Sequence, residues 1–309
     1  GGGGVVGGRG LGLFAGEAVL VPSLGGGGRH SRAGRIGLAA LLSLCVGTAL
    51  TFLALPIVAL FAEVPLGSVP DLLADPVVRH ALEVTARTNA IANILILGLG
   101  TPVAYLLATK RFPGRSLVVT LVELPLVLPP AVAGIGLLAA FGAGGLFGDD
   151  LKNAGIFLPF TEWAVVLAVT FVASPFYIRQ AISAFEGVDP TLTAAARTLG
   201  AGPARTFWRV SLPLAAAGLV AGWVLAFARG VGEFGATIVF AGNVQGQTQT
   251  LTLAVYEQLD ANFDVALAIG ILLVVLSAAV LLSYKLIVSW KDSTSRSPST
   301  SVRSRSILS

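Results

Sequence analysis

The chain has 309 residues, of which 55% are hydrophobic and only 12% charged, against about 25% charged in soluble domains. A water-soluble fold of this size cannot hide that much apolar surface, so the excess faces lipid. The net charge of +4 does not suggest a nucleic-acid binder, and one cysteine, Cys45, with two distant histidines, His30 and His80, gives neither a disulfide framework nor a zinc or triad constellation.

Residues 1–35 are Gly-rich. Their mildly apolar stretch is interrupted by Arg9, Glu17 and several glycines, short of the roughly 20 apolar residues a crossing needs. It also lacks the clean core and cleavage site of a signal peptide, so a disordered cytoplasmic tail is expected. The sequence holds no methionine and opens on four glycines, so nothing is read from its first residue.

Six long apolar segments follow, near 37–62, 88–109, 117–141, 162–184, 213–240 and 265–289. Each can cross roughly 30 Å of hydrocarbon as a helix rising about 1.5 Å per residue. None shows the period-two alternation of barrel strands. The expected fold is an all-α membrane protein of about six transmembrane helices over 36–290, followed by a disordered Ser/Arg-rich cytoplasmic tail at 291–309. The bases orient it. Arg29, Arg32 and Arg35 precede the first span, and Lys110, Arg111 and Arg115 follow the second. Arg179, Arg197, Arg205 and Arg209 lie at or between the fourth and fifth, and Lys285, Lys291, Arg296, Arg303 and Arg305 close the chain. The opposite loops hold Arg79, Arg87, Lys152 and most of the acids. By the positive-inside rule both termini are cytoplasmic.

Within the third span Pro125, Pro129 and Pro130 each remove a backbone donor. Such breaks are tolerated where neighbours or a water-filled cavity satisfy the freed carbonyls, and in transporters they mark substrate paths; a structural kink is the alternative. Gly134 and Gly136 permit close helix contact. Glu123, Arg229 and Glu233 place charge within apolar segments, which makes them functional candidates. Arg229 and Glu233, four apart, share a helix face and can pair. The pair either fixes packing or lends positive potential to an anion path, tempered by Glu233 so that release remains possible.

The basic loop 186–213 carries the sharpest signal. Asp189 reads as an N-cap and Pro190 as a first helical residue, so a short helix is expected over 191–199, stopped by a left-handed Gly200. Gly202 and Pro203 start a second short helix containing Phe207 and Trp208, expected to form an apolar base, and Pro213 opens the fifth span. Ala194, Ala195 and Ala196 leave the first helix bare enough for another body to approach its backbone; the alternative is an ordinary interfacial amphipathic helix. The uncharged outer loop 242–250 is rich in amides and hydroxyls. These suit an oxyanion, a docking protein or plain solvent.

Ala195-Ala196, Gly200, Val210, Leu212 and Pro213 resemble the "EAA" loop of ATP-binding-cassette importer permeases, with Val210 for the family's Ile and Ala194 where the Glu would stand. The stretches Leu124-Pro-Leu-Val-Leu-Pro-Pro-Ala-Val-Ala-Gly134, Ala228-Arg-Gly-Val-Gly-Glu-Phe-Gly-Ala-Thr-Ile-Val-Phe-Ala-Gly-Asn243 and Gln247-Thr-Gln-Thr-Leu-Thr-Leu-Ala-Val-Tyr256 resemble molybdate/tungstate permease subunits. The resemblance covers roughly 37–290. It implies a type I importer permease fold, in which Ala194, Ala195, Ala196, Arg197, Gly200, Phe207, Val210 and Pro213 couple to a pair of cytosolic cassette ATPases. It further implies a translocation path near Pro129, Pro130, Arg229, Glu233, Thr237 and Asn243. Also implied are a periplasmic or extracellular molybdate-binding protein, a second copy of the chain and a prokaryotic cell membrane. No phosphate-binding Gly-x-x-x-x-Gly-Lys-Ser/Thr loop is present. The chain is therefore not expected to be an enzyme, and it needs no cofactor of its own: ATP and Mg belong to the partner ATPase. The alternatives are a sulfate or thiosulfate permease of the same architecture and, from another class, a non-transporting membrane scaffold or sensor.

Overall fold

The computed structural model describes residues 32–64 and 67–295, with side chains over 37–64 and 67–286. The tails expected to be disordered fall largely outside the described residues. The first and last helices continue beyond the expected borders at 36 and 290, to Arg32 and Ser295. The chain forms two units that part between Leu55 and Pro56, inside the first helix, α1 (Arg32–Glu63). The first unit contributes the apolar stretch up to Leu55; the second carries everything described below.

The second unit is all helical among the described residues. Its elements are α2 (Val69–Leu73), α3 (Pro76–Thr109), α4 (Arg115–Val127), α5 (Pro130–Phe141), α6 (Gly148–Asn153), α7 (Glu162–Glu186), α8 (Pro190–Thr198), α9 (Pro203–Thr206), α10 (Leu212–Val231), α11 (Gly235–Phe240), α12 (Leu251–Ala261) and α13 (Phe263–Ser295). Five helices are long and apolar enough to cross a bilayer: Gly37–Glu63, Pro76–Thr109, Glu162–Glu186, Pro203–Val231 and Phe263–Leu286. The pair α4 and α5, bent by 116°, is apolar enough only when taken together, as a broken span or a re-entrant loop.

Two expected spans are corrected here. The third is not one helix over 117–141. Leu128 and Pro129 each precede a proline, which forces both into extended backbone with ψ near 133° and 132°. The fifth does not run to 240. It ends at Val231, and residues 232–234 separate it from the short α11.

Helix α7 forms the centre. Val165, Val169 and Val172 pack with Ala133 and Leu137 of α5 and with Ala236 and Phe240 of α11. Further along, Ala173, Tyr177 and Ala181 meet Ile96 and Ala104 of α3 and Ala215 and Leu219 of α10. The Tyr177 hydroxyl lies 2.6 Å from the Thr101 hydroxyl, so two polar groups inside the apolar layer satisfy each other. A separate cluster joins Val78 and Ala81 of α3 to Leu251 and Ala254 of α12 and Ile269 of α13. Large apolar side chains such as Ile94, Val127 and Leu286 point outward, as lipid contact requires.

Candidate functional site

The basic loop folds as a compact hinge. The Asp189 carboxylate accepts from the Thr191 N–H at 2.8 Å, and Pro190 takes the first helical position of α8. That backbone N–H holds the Asp189 carboxyl below its ordinary range. At the other end Gly200 N–H donates to Arg197 C=O at 2.9 Å and Ala201 N–H to Ala196 C=O at 3.0 Å. Gly200 sits at φ 83°, so this is a Schellman stop. Ala194, Ala195 and Arg197 are exposed, while Ala196 is half-buried.

Beyond Gly202 the chain does not pause before the fifth span. Helix α9 runs through a π turn, Phe207–Ser211, directly into α10. Pro213 supplies the reason: its ring collides with the carbonyl four residues back and it has no N–H to give. The Leu212 N–H reaches five residues back to the Phe207 carbonyl, which absorbs the misfit. Phe207 packs edge-on to Tyr105 at 4.7 Å and beside Phe185, joining the loop to α3 and α7. Trp208 is 66% exposed, so only half of the expected apolar base points inward. Val210 is half-buried. The coupling candidates therefore fall on two pieces, residues 194–200 on α8 and its stop and residues 207–213 on the continuous run that enters α10.

The path candidates gather at two helix breaks that meet. A methyl on Gly235 would stand 2.7 Å from the Pro130 Cβ, and one on Gly134 would stand 2.8 Å from the Ala236 carbonyl oxygen. Backbone therefore lies against backbone where α5 and α11 begin. Gly136 meets open space, so only Gly134 serves close contact. Pro129 and Pro130 themselves are exposed.

Arg229 and Glu233 pair, Nη2 to Oε2, at 2.6 Å. Glu233 lies past the end of α10 rather than on its face. Its Oε1 accepts from the Ala236 N–H at 2.7 Å, and its carbonyl accepts from the Thr252 hydroxyl at 2.7 Å. One residue thus ties α10, α11 and α12 together. Glu123 of α4 faces Arg179 of α7 at 3.7 Å. Thr237 is fully buried, and its hydroxyl has no hydrogen-bond partner among the described residues. Asn243 donates to the Glu257 carboxylate at 2.9 Å, and Gln249 donates to the same oxygen. Thr248, Gln249 and Thr250 are buried, so the last third of the outer polar loop is packed inside.

Sequence reasoning missed Asn89 and Asn93 of α3. Both are buried, and their side-chain carbonyl oxygens are unpartnered among the described residues. The Asn89 oxygen lies where a side chain on Gly230 would be, one residue from Arg229. Two amides four apart in an apolar span were the available signal.

The comparisons agree with this geometry. Residues 100–292 match the family described as binding-protein-dependent transport system inner membrane component. The molybdenum transport system permease protein ModB of Mycobacterium tuberculosis (strain ATCC 25618 / H37Rv) is 44% identical over 233 residues, covering 75% of this chain and 88% of the relative. The protein of the same name from Escherichia coli (strain K12) is 42% identical, covering 60% and 81%. The sulfate transport system permease protein CysT of that strain is 35% identical, covering 79% and 90%. Among solved structures, a bacterial alginate ABC transporter in complex with an alginate pentasaccharide-bound periplasmic protein aligns with TM-score 0.66. It shares 18% identity and covers 80% of this chain and 92% of the other. The MetNI methionine ABC transporter in an inward-facing form aligns with TM-score 0.51 at 21% identity, covering 71% and 95%.

Proposed function

Because this chain belongs to the binding-protein-dependent transport system inner membrane component family, we propose that it is the permease subunit of an ATP-driven molybdate importer. The observation that carries the substrate is the 42–44% identity to permeases named for molybdenum transport, against 35% to the sulfate permease. In this reading two copies of the chain enclose the path, and both termini face the cytoplasm. A soluble binding protein delivers the oxyanion to the outer face. A separate pair of cassette ATPases, which hold ATP and Mg, grip α8.

The hinge at Gly200 and the unbroken run from α9 into α10 support a mechanical link. A push on α8 passes the Gly200 turn and then enters the fifth span along one unbroken helical run from Pro203. At the far end of α10, Arg229 supplies positive charge beside the two helix breaks, where broken spans place ligand sites in transporters. Glu233 limits that charge, so that the anion is not trapped.

Reconstitution with the ATPase and binding protein tests the reading. ATP-dependent molybdate uptake is expected, with sulfate competing only in large excess. Uptake without the ATPase overturns the importer assignment, and preference for sulfate moves the chain to the sulfate branch.

A further inference from the structure

A cleft of about 800 Å³ opens where the basic ends of the spans converge, bounded by the end of α3, the start of α4, the end of α7 and the inner side of α8. Its floor is aromatic, with the Tyr105 and Phe185 rings edge-on at 5.2 Å. Its rim is cationic, carrying Arg111, Arg115 and Arg197 against one carboxylate, Glu186. Arg115 is already committed: it donates to the Leu107 carbonyl at 2.6 Å and to Glu186 at 2.8 Å. Arg111 and Arg197 are exposed and have no ion-pair partner among the described residues.

We propose that this cleft binds the phosphate headgroup of an anionic phospholipid, with Arg111 and Arg197 as its ligands. Three features point there. The cleft lies at the ends of two long apolar helices, α3 and α7. An apolar floor beneath a charged rim matches a molecule that is itself split between acyl chain and phosphate. Free guanidiniums bind phosphate oxygens in pairs, and basic pockets between spans on the cytoplasmic side recognise anionic headgroups. Pro190, Thr193 and Arg197 turn one side of α8 to the cleft. Leu192 and Leu199 stay exposed at 47% and 88% for a docking protein. The lipid would brace α8 from behind. This inference goes beyond the transport reading and does not depend on it.

The full-length chain is delipidated in detergent and titrated with phosphatidylglycerol, phosphatidylcholine or inorganic phosphate, with adducts counted by native mass spectrometry. Phosphatidylglycerol is expected to bind in preference to phosphatidylcholine. Arg111→Gln with Arg197→Gln should weaken it by about fivefold per guanidinium, whereas Arg205→Gln with Arg209→Gln, exposed bases outside the cleft, should not. Arg111→Lys with Arg197→Lys, which keeps the charge, should bind between the two. Equal binding of both lipids, or of wild type and the Gln pair, overturns the proposal. So does displacement by inorganic phosphate alone, which would make free phosphate the ligand, or an equal loss with the Arg205 and Arg209 variants, which would make the effect diffuse surface charge. No ATPase or substrate is present, so failure here leaves the importer reading untouched.

Discussion

Arg229 and Glu233 meet with the carboxylate almost wholly buried and the guanidinium about one quarter exposed. Removing the base alone strands a buried charge. Arg229→Gln is therefore expected to destabilise by about 3 kcal/mol, and Arg229→Gln with Glu233→Gln to recover much of that; denaturant unfolding in detergent reads both. Glu233→Gln alone keeps an acceptor for the Ala236 N–H, so it should alter the uptake rate more than the stability. The same residue shows what a spacing rule can carry. Four residues apart foretold the pair, but not that Glu233 would step off the helix and cap the next one, because that depends on Gly232 ending α10 and on Thr252 arriving from a distant segment. Glycines divide in the same way. Gly134→Ala must push against the Ala236 backbone and should abolish the folded, monodisperse protein, while Gly136→Ala, facing open space, should leave it intact by size-exclusion chromatography.

Among the elements, α8 was the most legible. An aspartate before a proline starts it and a glycine ends it, and both signals act within one turn of the chain. Gly200→Leu meets no neighbour but must hold a left-handed backbone at a cost of about 1–2 kcal/mol. The expected result is poor coupling of ATP hydrolysis to uptake with an unchanged span core; normal coupling would remove α8 from the transmission path. Asp189 adds a pH dependence. Its carboxyl is lowered by the Thr191 N–H, so its support for α8 is complete above the ordinary carboxylate range and fades as pH falls through the depressed value. Hydrogen exchange at the start of α8 should quicken in acid, and Asp189→Asn should remove that acid step. The π turn was not legible as such. Pro213 announces a disturbance, but whether the chain kinks, stops or slips by one residue depends on how Phe207 seats against Tyr105 and Phe185. The burial of Thr248, Gln249 and Thr250 was equally hidden, since amides and hydroxyls look the same in water as when they hold Glu257 and one another.

At the scale of the molecule, apolar length located five long helices and one bent pair where six spans were expected, and two of the six expected spans were misdrawn. Prolines show where a helix must break; the 116° between α4 and α5 is decided by what they lean on. Here α4 leans on α7 and α5 on α11, part of a second broken helix, and the latter contact has a consequence for movement. Gly235 lies against the Pro130 ring and the Ala131 backbone, and Gly134 against the Ala236 backbone and the Val239 Cβ, and packing this close scarcely compresses. A displacement that reaches one break arrives at the other undiminished. The two half-helices must therefore swing as a single stiff wedge, and any widening beside Arg229 has to come from turning that wedge bodily, not from the flick of a rotamer.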